Sequence, residues 1–266
     1  MQTTEINQVL KIEQDQWLTE VLGYSVFTIG KTTHPIEMGS LREVFSTAEA
    51  SGGRALYYTK VDVDNSCLFS VFQNVGMQVV DVNVTLEMPA QKPCREWEGI
   101  NTEDDDVNDN GVNIVGEEGC DKHSLLEIAR NSFHYSRFHS DPLIENRLAD
   151  QTREAWLKSY LKGARGDRLF VAIKNGNIVG FLAAILDPDQ RVAVIDLMAV
   201  AHECRGQKVG VQLVATFMKY YKEHCEFYRV GSQIANRPAT SLYTKCGFEY
   251  ANSAYVLHKH VLASST

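Results

Sequence analysis

The run Arg205-Gly206-Gln207-Lys208-Val209-Gly210-Val211 has residue types and spacing suited to chemistry. It follows an apolar stretch, Ala193 to Val200, and leads into an amphipathic segment. A strand, a short turn and a glycine-bearing loop that enters a helix together make an anion site. The loop turns backbone N–H groups inward, and the helix start adds unpaired donors and a positive dipole end. Glycine lets a ligand approach the backbone closely. A pyrophosphate fits such a place. The Lys208 ammonium either adds a phosphate contact or stands in solvent. The run is not a Walker A loop, because no Gly-Lys-Ser/Thr follows at the required spacing, and it is not GxGxxG. Inside the apolar stretch lies Asp196. A carboxylate there suits a general base or a water-holding group, or else a structural partner for a backbone donor or an arginine. Strand alternation places Val194 and Met198 on its face.

Other candidate chemistry is weaker. The six cysteines, Cys67, Cys94, Cys120, Cys204, Cys225 and Cys246, form no CxxC pair and share no zinc-ligand spacing with the eight histidines. They read as free thiols in a reducing compartment, and no metal is expected. Ten carboxylates and no Lys or Arg lie between Glu96 and Asp121, in a chain of net charge −8. The acidity therefore belongs to one segment and speaks against a nucleic-acid partner. Asp104-Asp105-Asp106 lacks the alternating carboxylates of an EF-hand loop and reads as solvated. No apolar run reaches membrane-helix length and no signal peptide is visible, so the reading is a cytoplasmic protein with no membrane partner.

The elements that must position these residues fall into three parts. Residues 1–88 read as a small α/β module. Leu56 to Val63 is a strand, Asn65 to Asn74 a short helix ending near Gly76, and Met77 to Met88 a strand with Val80, Val82, Val84 and Leu86 on one face. Residues 89–123 read as an acidic linker or loop. Residues 124–266 form the third part. The capping box Ser124-Leu-Leu-Glu127 opens a helix there. A second helix runs from Arg147 to Lys162 and stops at Gly163. Leu169 to Lys174 and Asn177 to Leu186 flank Asn175-Gly176 as a hairpin with a type I′ turn. Arg191 to Val200 is the next strand and Tyr228 to Ala235 the fifth. Asn236-Arg237-Pro238 opens a short helix that ends at Gly247-Phe248, and a final strand runs through Tyr255.

With these elements in order, Arg205 to Val211 resembles the acyl-CoA loop of the GCN5-related N-acetyltransferase (GNAT) family, usually Gln/Arg-x-x-Gly-x-Gly/Ala. Arg205 and Gly210 match, and Lys208 stands where the first glycine is expected. Asn236, Tyr243 and Gly247-Phe248 follow at the family's spacing. The resemblance covers about residues 125–260. It implies an α+β GNAT fold, a mixed and mainly antiparallel sheet flanked by helices, preceded here by the smaller module. It implies acetyl-CoA or another short acyl-CoA as donor. The fourth and fifth strands would splay, with the pantetheine arm along Leu197, Met198 and Val200 and the pyrophosphate on the amides of Gln207 to Val211. Arg205, Gly206 and Asn236 would complete the donor site. Tyr243 stands where the family places its general acid.

A closer resemblance rests on Ser136-Arg137-Phe138-His139 with Asp141-Pro142. Leu148-Ala-Asp-x-x-x-Glu-Ala-Trp156-x-x-x-Tyr160 and Arg165-Gly-Asp167 support it. This stretch is similar to the bacterial acyltransferases that act on dTDP-linked amino-dideoxy sugars, such as the dTDP-fucosamine acetyltransferases of surface-polysaccharide (O-antigen, lipopolysaccharide) assembly. It implies a nucleotide-linked amino sugar as acceptor, met by Arg137, Phe138 and His139. Arg137 would pair with a phosphate, and His139 would bind the sugar, help remove a proton, or hold its own loop. Oligomeric state stays open, a homodimer included. A protein N-acetyltransferase and a non-catalytic acyl-CoA-binding module are the alternatives.

Overall fold

The computed structural model describes residues 11–30, 38–94 and 111–263. The chain divides into two compact units. The first comprises residues 1–83, 136–152 and 252–266, and the second residues 84–135 and 153–251. The sequence suggested contiguous parts divided at 88/89 and 123/124. Each observed unit is instead assembled from separate segments, because sheet pairing is non-local. Residues 95–110, most of the expected linker, lie outside the described residues.

The first unit contains β1 (Ile12–Gln14), α1 (Gln16–Leu22), β2 (Ser25–Ile29), α2 (Met38–Ala50), β3 (Ala55–Asp62) and α3 (Ser66–Asn74), followed by the start of β4 (Gln78–Pro89). Asn65 caps α3 by accepting the Leu68 N–H. β2 pairs with β3 in parallel, and β3 pairs antiparallel with the chain's last strand through Ala254↔Asp62 to Val261↔Ala55. That strand therefore runs well past the expected end at Tyr255. Alternate residues of β3 serve two cores. Tyr57 and Val61 join Leu41, Phe45 and Phe72, while Leu56 joins Leu18, Val26 and Phe138.

The second unit follows with β5 (Val112–Gly116), α4 (Lys122–Asn131), α5 (Asn146–Leu161, which starts in the first unit), β6 (Arg168–Lys174), β7 (Asn177–Asp187), β8 (Val192–Val200), α6 (Val209–Tyr221), β9 (Phe227–Gln233), α7 (Arg237–Cys246) and the start of β10 (Glu249–Val261, most of which belongs to the first unit). Its strand order is β4-β9-β8-β7-β6-β5. The pairs from β5 through β8 are antiparallel, and β8 with β9 is parallel. Val112–Gly116, expected inside a linker, is a strand because its backbone completes the ladder against Phe170–Lys174. Helix α4 starts two residues before the expected Ser124 cap. The Asp121 carboxylate takes the N–H groups of His123 and Ser124 and the Ser124 hydroxyl, so it is the better cap. The Asn175-Gly176 turn has φ of 50° and 77°, as a type I′ turn requires.

Both faces of this sheet are buried. Phe170, Leu182 and Ile195 pack with α6 and α7 residues such as Leu213, Phe217 and Tyr243. Val171, Phe181 and Leu197 pack with Leu125 of α4 and Leu157 of α5. β7 is crowded from its neighbour strand: a Cβ at Gly180 would stand 2.8 Å from the Ala199 carbonyl oxygen. Gly180→Ala should therefore lower unfolding free energy by about 1–3 kcal/mol. Urea denaturation measures this, and an unchanged midpoint would mean that β7 and β8 slide apart at no cost.

Candidate acyl-donor and acceptor sites

In the second unit the critical feature is where two strands part. β8 pairs with β9 only from Val192↔Phe227 to Ile195↔Val230. Beyond Ile195 the strand continues to Val200, paired with β7 on its other side through Leu197↔Ala183 to Val200↔Gly180. Among the described residues, the backbone of Leu197 to Val200 therefore has one edge with no strand partner. This is the splay expected from the sequence, and Leu197, Met198 and Val200 lie along it.

The parting coincides with a β-bulge. Ile195 pairs with Ala184 and Leu197 with Ala183, so Asp196 has no partner on β7. One extra residue reverses the alternation. Ala193 and Ile195 face the α6 side, and beyond the bulge it is Met198 and Val200 that pack there, while Leu197 and Ala199 face α4 and α5. Asp196 consequently does not share a face with Met198, as simple alternation implied. Its carboxylate takes four donors: Arg165 Nε at 2.7 Å and Nη2 at 2.8 Å, Trp156 Nε1 at 2.8 Å and the Tyr160 hydroxyl at 2.7 Å. Burial alone would raise its pKa, but the donors from Arg165, Trp156 and Tyr160 outweigh it and hold the carboxyl below its usual range. Burial and the Asp196 charge push the Tyr160 phenol well above its ordinary value. A carboxylate so held is a weak base. The sequence named Asp196 but could not name its partners, which lie 31 to 40 residues away.

After β8, His202–Cys204 form one 3-10 turn. Arg205 to Lys208 are exposed, Val209 is buried, and Gly206 has φ of 76°. The Arg205 guanidinium turns back to the carbonyls of Val200 at 3.1 Å and Ser132 at 3.4 Å, tying the loop to the end of β8. Gln207 accepts from Lys174 and donates to the Glu203 carbonyl. The first bond of α6 runs from Gln212 N–H to the Lys208 carbonyl at 3.1 Å. The amides of Val209, Gly210 and Val211 thus have no acceptor within the helix and suit an anion. A Cβ at Gly210 would come within 3.0 Å of the Leu242 side chain, so this glycine also lets α6 and α7 approach.

Asn236 caps α7 by accepting the Ala239 N–H at 3.3 Å, Arg237-Pro238 starts the helix, and Gly247 ends it with φ of 107°. Tyr243 projects into the α6-side core, 5.9 Å from the Phe248 ring. Burial, then Cys246, push its phenol above the ordinary value, so it is protonated at neutral pH.

The residues expected to meet the acceptor lie in the first unit. Phe138 is buried in a core with Leu18, Val26 and Leu56. The Arg137 guanidinium stacks over the Tyr58 ring at 3.9 Å, its Nη1 is buried without a partner, and burial lowers its pKa. His139 holds its own loop: Nδ1 lies 2.6 Å from Ser136 Oγ and Nε2 2.9 Å from Asp150. The sequence reading missed a neighbouring group. Asp141, His258 and His260 bring three possible ligand atoms within 4.8 Å of one another. His-x-His on a strand was the available signal, but its carboxylate lies more than a hundred residues away.

Lys208 occupies left-handed backbone, with φ of 64°, at the position where the family places glycine. An L-residue there costs on the order of 1–2 kcal/mol, partly offset by the larger unfolded-state entropy of glycine. Lys208→Gly should therefore raise stability by up to about 1 kcal/mol. Thermal unfolding measures it, and a fall in Tm would show that the lysine side chain makes a compensating contact.

The model of the acetyltransferase (GNAT) family matches residues 124–248. The spore coat polysaccharide biosynthesis protein SpsD of Bacillus subtilis (strain 168) is 29% identical over 139 residues, which cover 52% of this chain and 47% of that protein. The matched stretch thus spans about half the length of that relative. Among solved structures, a GCN5-related N-acetyltransferase from Sphaerobacter thermophilus superposes with a TM-score of 0.64 at 13% identity, over 95% of this chain and 76% of the other. A tandem GNAT protein from the clavulanic acid biosynthesis pathway superposes with a TM-score of 0.62 at 12% identity, over 97% and 80%. At these identities the two structures speak for the fold alone. No described helix is long and apolar enough to cross a membrane. The matched residues include the loop, the parted strands and α7 that the structure displays, so residues 124–248 carry both the sequence pattern and the fold of a GNAT acetyltransferase domain.

Proposed function

We propose that the chain transfers an acetyl or other short acyl group from acyl-CoA to the amino group of a nucleotide-linked amino-dideoxy sugar, in the cytoplasm and for surface-polysaccharide assembly. The observation that carries the transferase reading is the parting of β8 from β9 beside an α6 start with free amides. The free edge of Leu197 to Val200 suits the amide-bearing arm of the donor. The amides of Gln207 to Val211 suit its pyrophosphate, and Asn236 orders the start of α7 by capping it. Acyl-CoA supplies the thioester carbonyl and a thiol leaving group. Tyr243, kept protonated by burial, is the proton donor for the departing sulfur. Asp196 acts as a fixed anion that holds the bulge, not as the base, because four donors already occupy it.

The acceptor class rests on two supports. SpsD is described as a polysaccharide biosynthesis protein, and the Ser136-Arg137-Phe138-His139 loop offers a guanidinium with one nitrogen unspent. Arg137 would meet the diphosphate, and Phe138 and His139 hold the loop that presents it.

Transfer of radiolabelled acetyl from acetyl-CoA should mark dTDP-linked amino-dideoxy sugars and leave peptide amines unmarked. The reverse pattern would overturn the acceptor class, and no transfer to any amine would overturn the enzyme. Tyr243→Phe removes the proton donor and keeps the ring. Its kcat should fall by roughly 10²-fold, the low end of general-acid help because a thiolate leaves tolerably well. Both KM values and Tm should hold. Near wild-type kcat at saturating substrates would remove Tyr243 from proton transfer.

A further inference from the structure

Asp141 lies four residues after Arg137 and is 2% exposed. Its Oδ2 stands 2.6 Å from His258 Nδ1 and 2.7 Å from His260 Nε2, and its Oδ1 accepts the Leu143 N–H at 2.9 Å. The two histidines are alternate residues of β10, so they project from one face, and their side chains are 1% and 6% exposed. An ionised carboxylate only accepts hydrogen bonds, so both imidazoles must donate to it. That fixes both tautomers. The outer nitrogens, His258 Nε2 and His260 Nδ1, are then bare lone pairs, and both are buried without a partner. An orphaned acceptor is more tolerable than an orphaned N–H. Burial holds the His258 pKa down, to about 4, so this ring donates as a neutral group.

A metal ion among the three is the rival occupant, and distance argues against it. Ligands about 2.0–2.2 Å from a tetrahedral metal stand roughly 3.3 Å from one another. Separations of 2.6 and 2.7 Å leave room for a proton between the heavy atoms and none for an ion.

What the carboxylate grips is the segment that carries Arg137. The Ser136 carbonyl accepts the N–H groups of His139 and Ser140 at 2.9 and 3.0 Å, so 136–140 is a closed turn. Phe138 anchors it in the core with its ring 6.5 Å from that of His258, and His139 reaches Asp150. Asp141 closes the segment onto β10. Arg137 is left stacked on Tyr58 with one nitrogen uncommitted. We propose that Asp141, gripped by His258 and His260, is a positioning residue for the acyl acceptor: it fixes segment 136–142 and so sets where the Arg137 guanidinium stands. The inference rests on the reading of Arg137 as an acceptor contact.

Asp141→Asn keeps the volume and loses the charge and one acceptor oxygen. It cannot take protons from both imidazoles and from Leu143 with equal strength. Amide hydrogen exchange across 136–142 should speed up about tenfold or more. The KM for the nucleotide sugar should rise on the order of tenfold, with the acyl-CoA KM within about twofold of wild type. His260→Gln retains an N–H donor near the place of Nε2 and should behave like wild type, whereas His260→Leu should reproduce the Asp141→Asn defect. This pair decides the matter if Asp141→Asn fails to fold. Unchanged exchange in Asp141→Asn, equal changes in both KM values, or stoichiometric zinc in the purified wild-type protein would each overturn the proposal. A wild-type enzyme that ignores nucleotide sugars but acylates another amine would sink the acceptor reading, and the exchange rates and the KM split on that amine would still decide the role of Asp141.

Discussion

The second unit is organised around an unpaired strand residue whose charge must be kept company. Asp196 is the extra residue of a bulge in a strand buried on both faces. A carboxylate there costs several kcal/mol to desolvate unless it is fully partnered. Arg165, Trp156 and Tyr160 provide that partnering, with a bidentate guanidinium among them. The bulge reverses which side chains face α6, and it falls where β8 stops pairing with β9. Without it Met198 and Val200 would point away from the helix they pack under. The parted edge, the loop and the start of α6 all inherit their placement from this point.

The loop after β8 shows how a family pattern survives an unfavourable residue. Glycine is common at such a position because left-handed backbone costs it nothing. Lys208 adopts that backbone anyway, with φ of 64°. The loop is tied down just before it, by Arg205 to the end of β8 and by Gln207 to Lys174 and Glu203. Those contacts, and a buried Val209 directly after, hold the conformation that glycine would adopt without strain. The backbone donors at the head of α6 are therefore preserved although the sequence departs from the pattern.

The first unit is held differently. Around segment 136–142 its polar side chains make close contacts: Asp141 with two imidazoles, His139 between a serine and an aspartate, and Arg137 on an aromatic face. Hydrogen bonds of this kind gain strength in a low-dielectric interior and are costly to leave half made. They fix one loop conformation. Apolar packing through Phe138 alone would leave the segment free to pivot about a single ring.

Much of the fold was legible in the sequence because it is local. The Asn175-Gly176 turn, the glycine end of α5, the Asn236 start of α7 and the amphipathic α6 are set by residues within a few positions of one another. The loop from Arg205 to Val211 and the spacing from Asn236 to Phe248 belong to the same class, and they carried the expected fold and donor site. The sequence could not show the bulge at Asp196, since strand alternation carries no mark of a one-residue insertion until a partner strand is in place. Nor could it show that Val112–Gly116 is a strand, because its ladder bonds are backbone groups supplied by β6. The partners of Asp196, and the pairing of Asp141 with residues 117 and 119 positions away, are products of sheet topology. Hydrogen-bond partners of buried charges are chosen by proximity in space, so only the tertiary structure could decide that Asp196 and Asp141 are held as fixed anions.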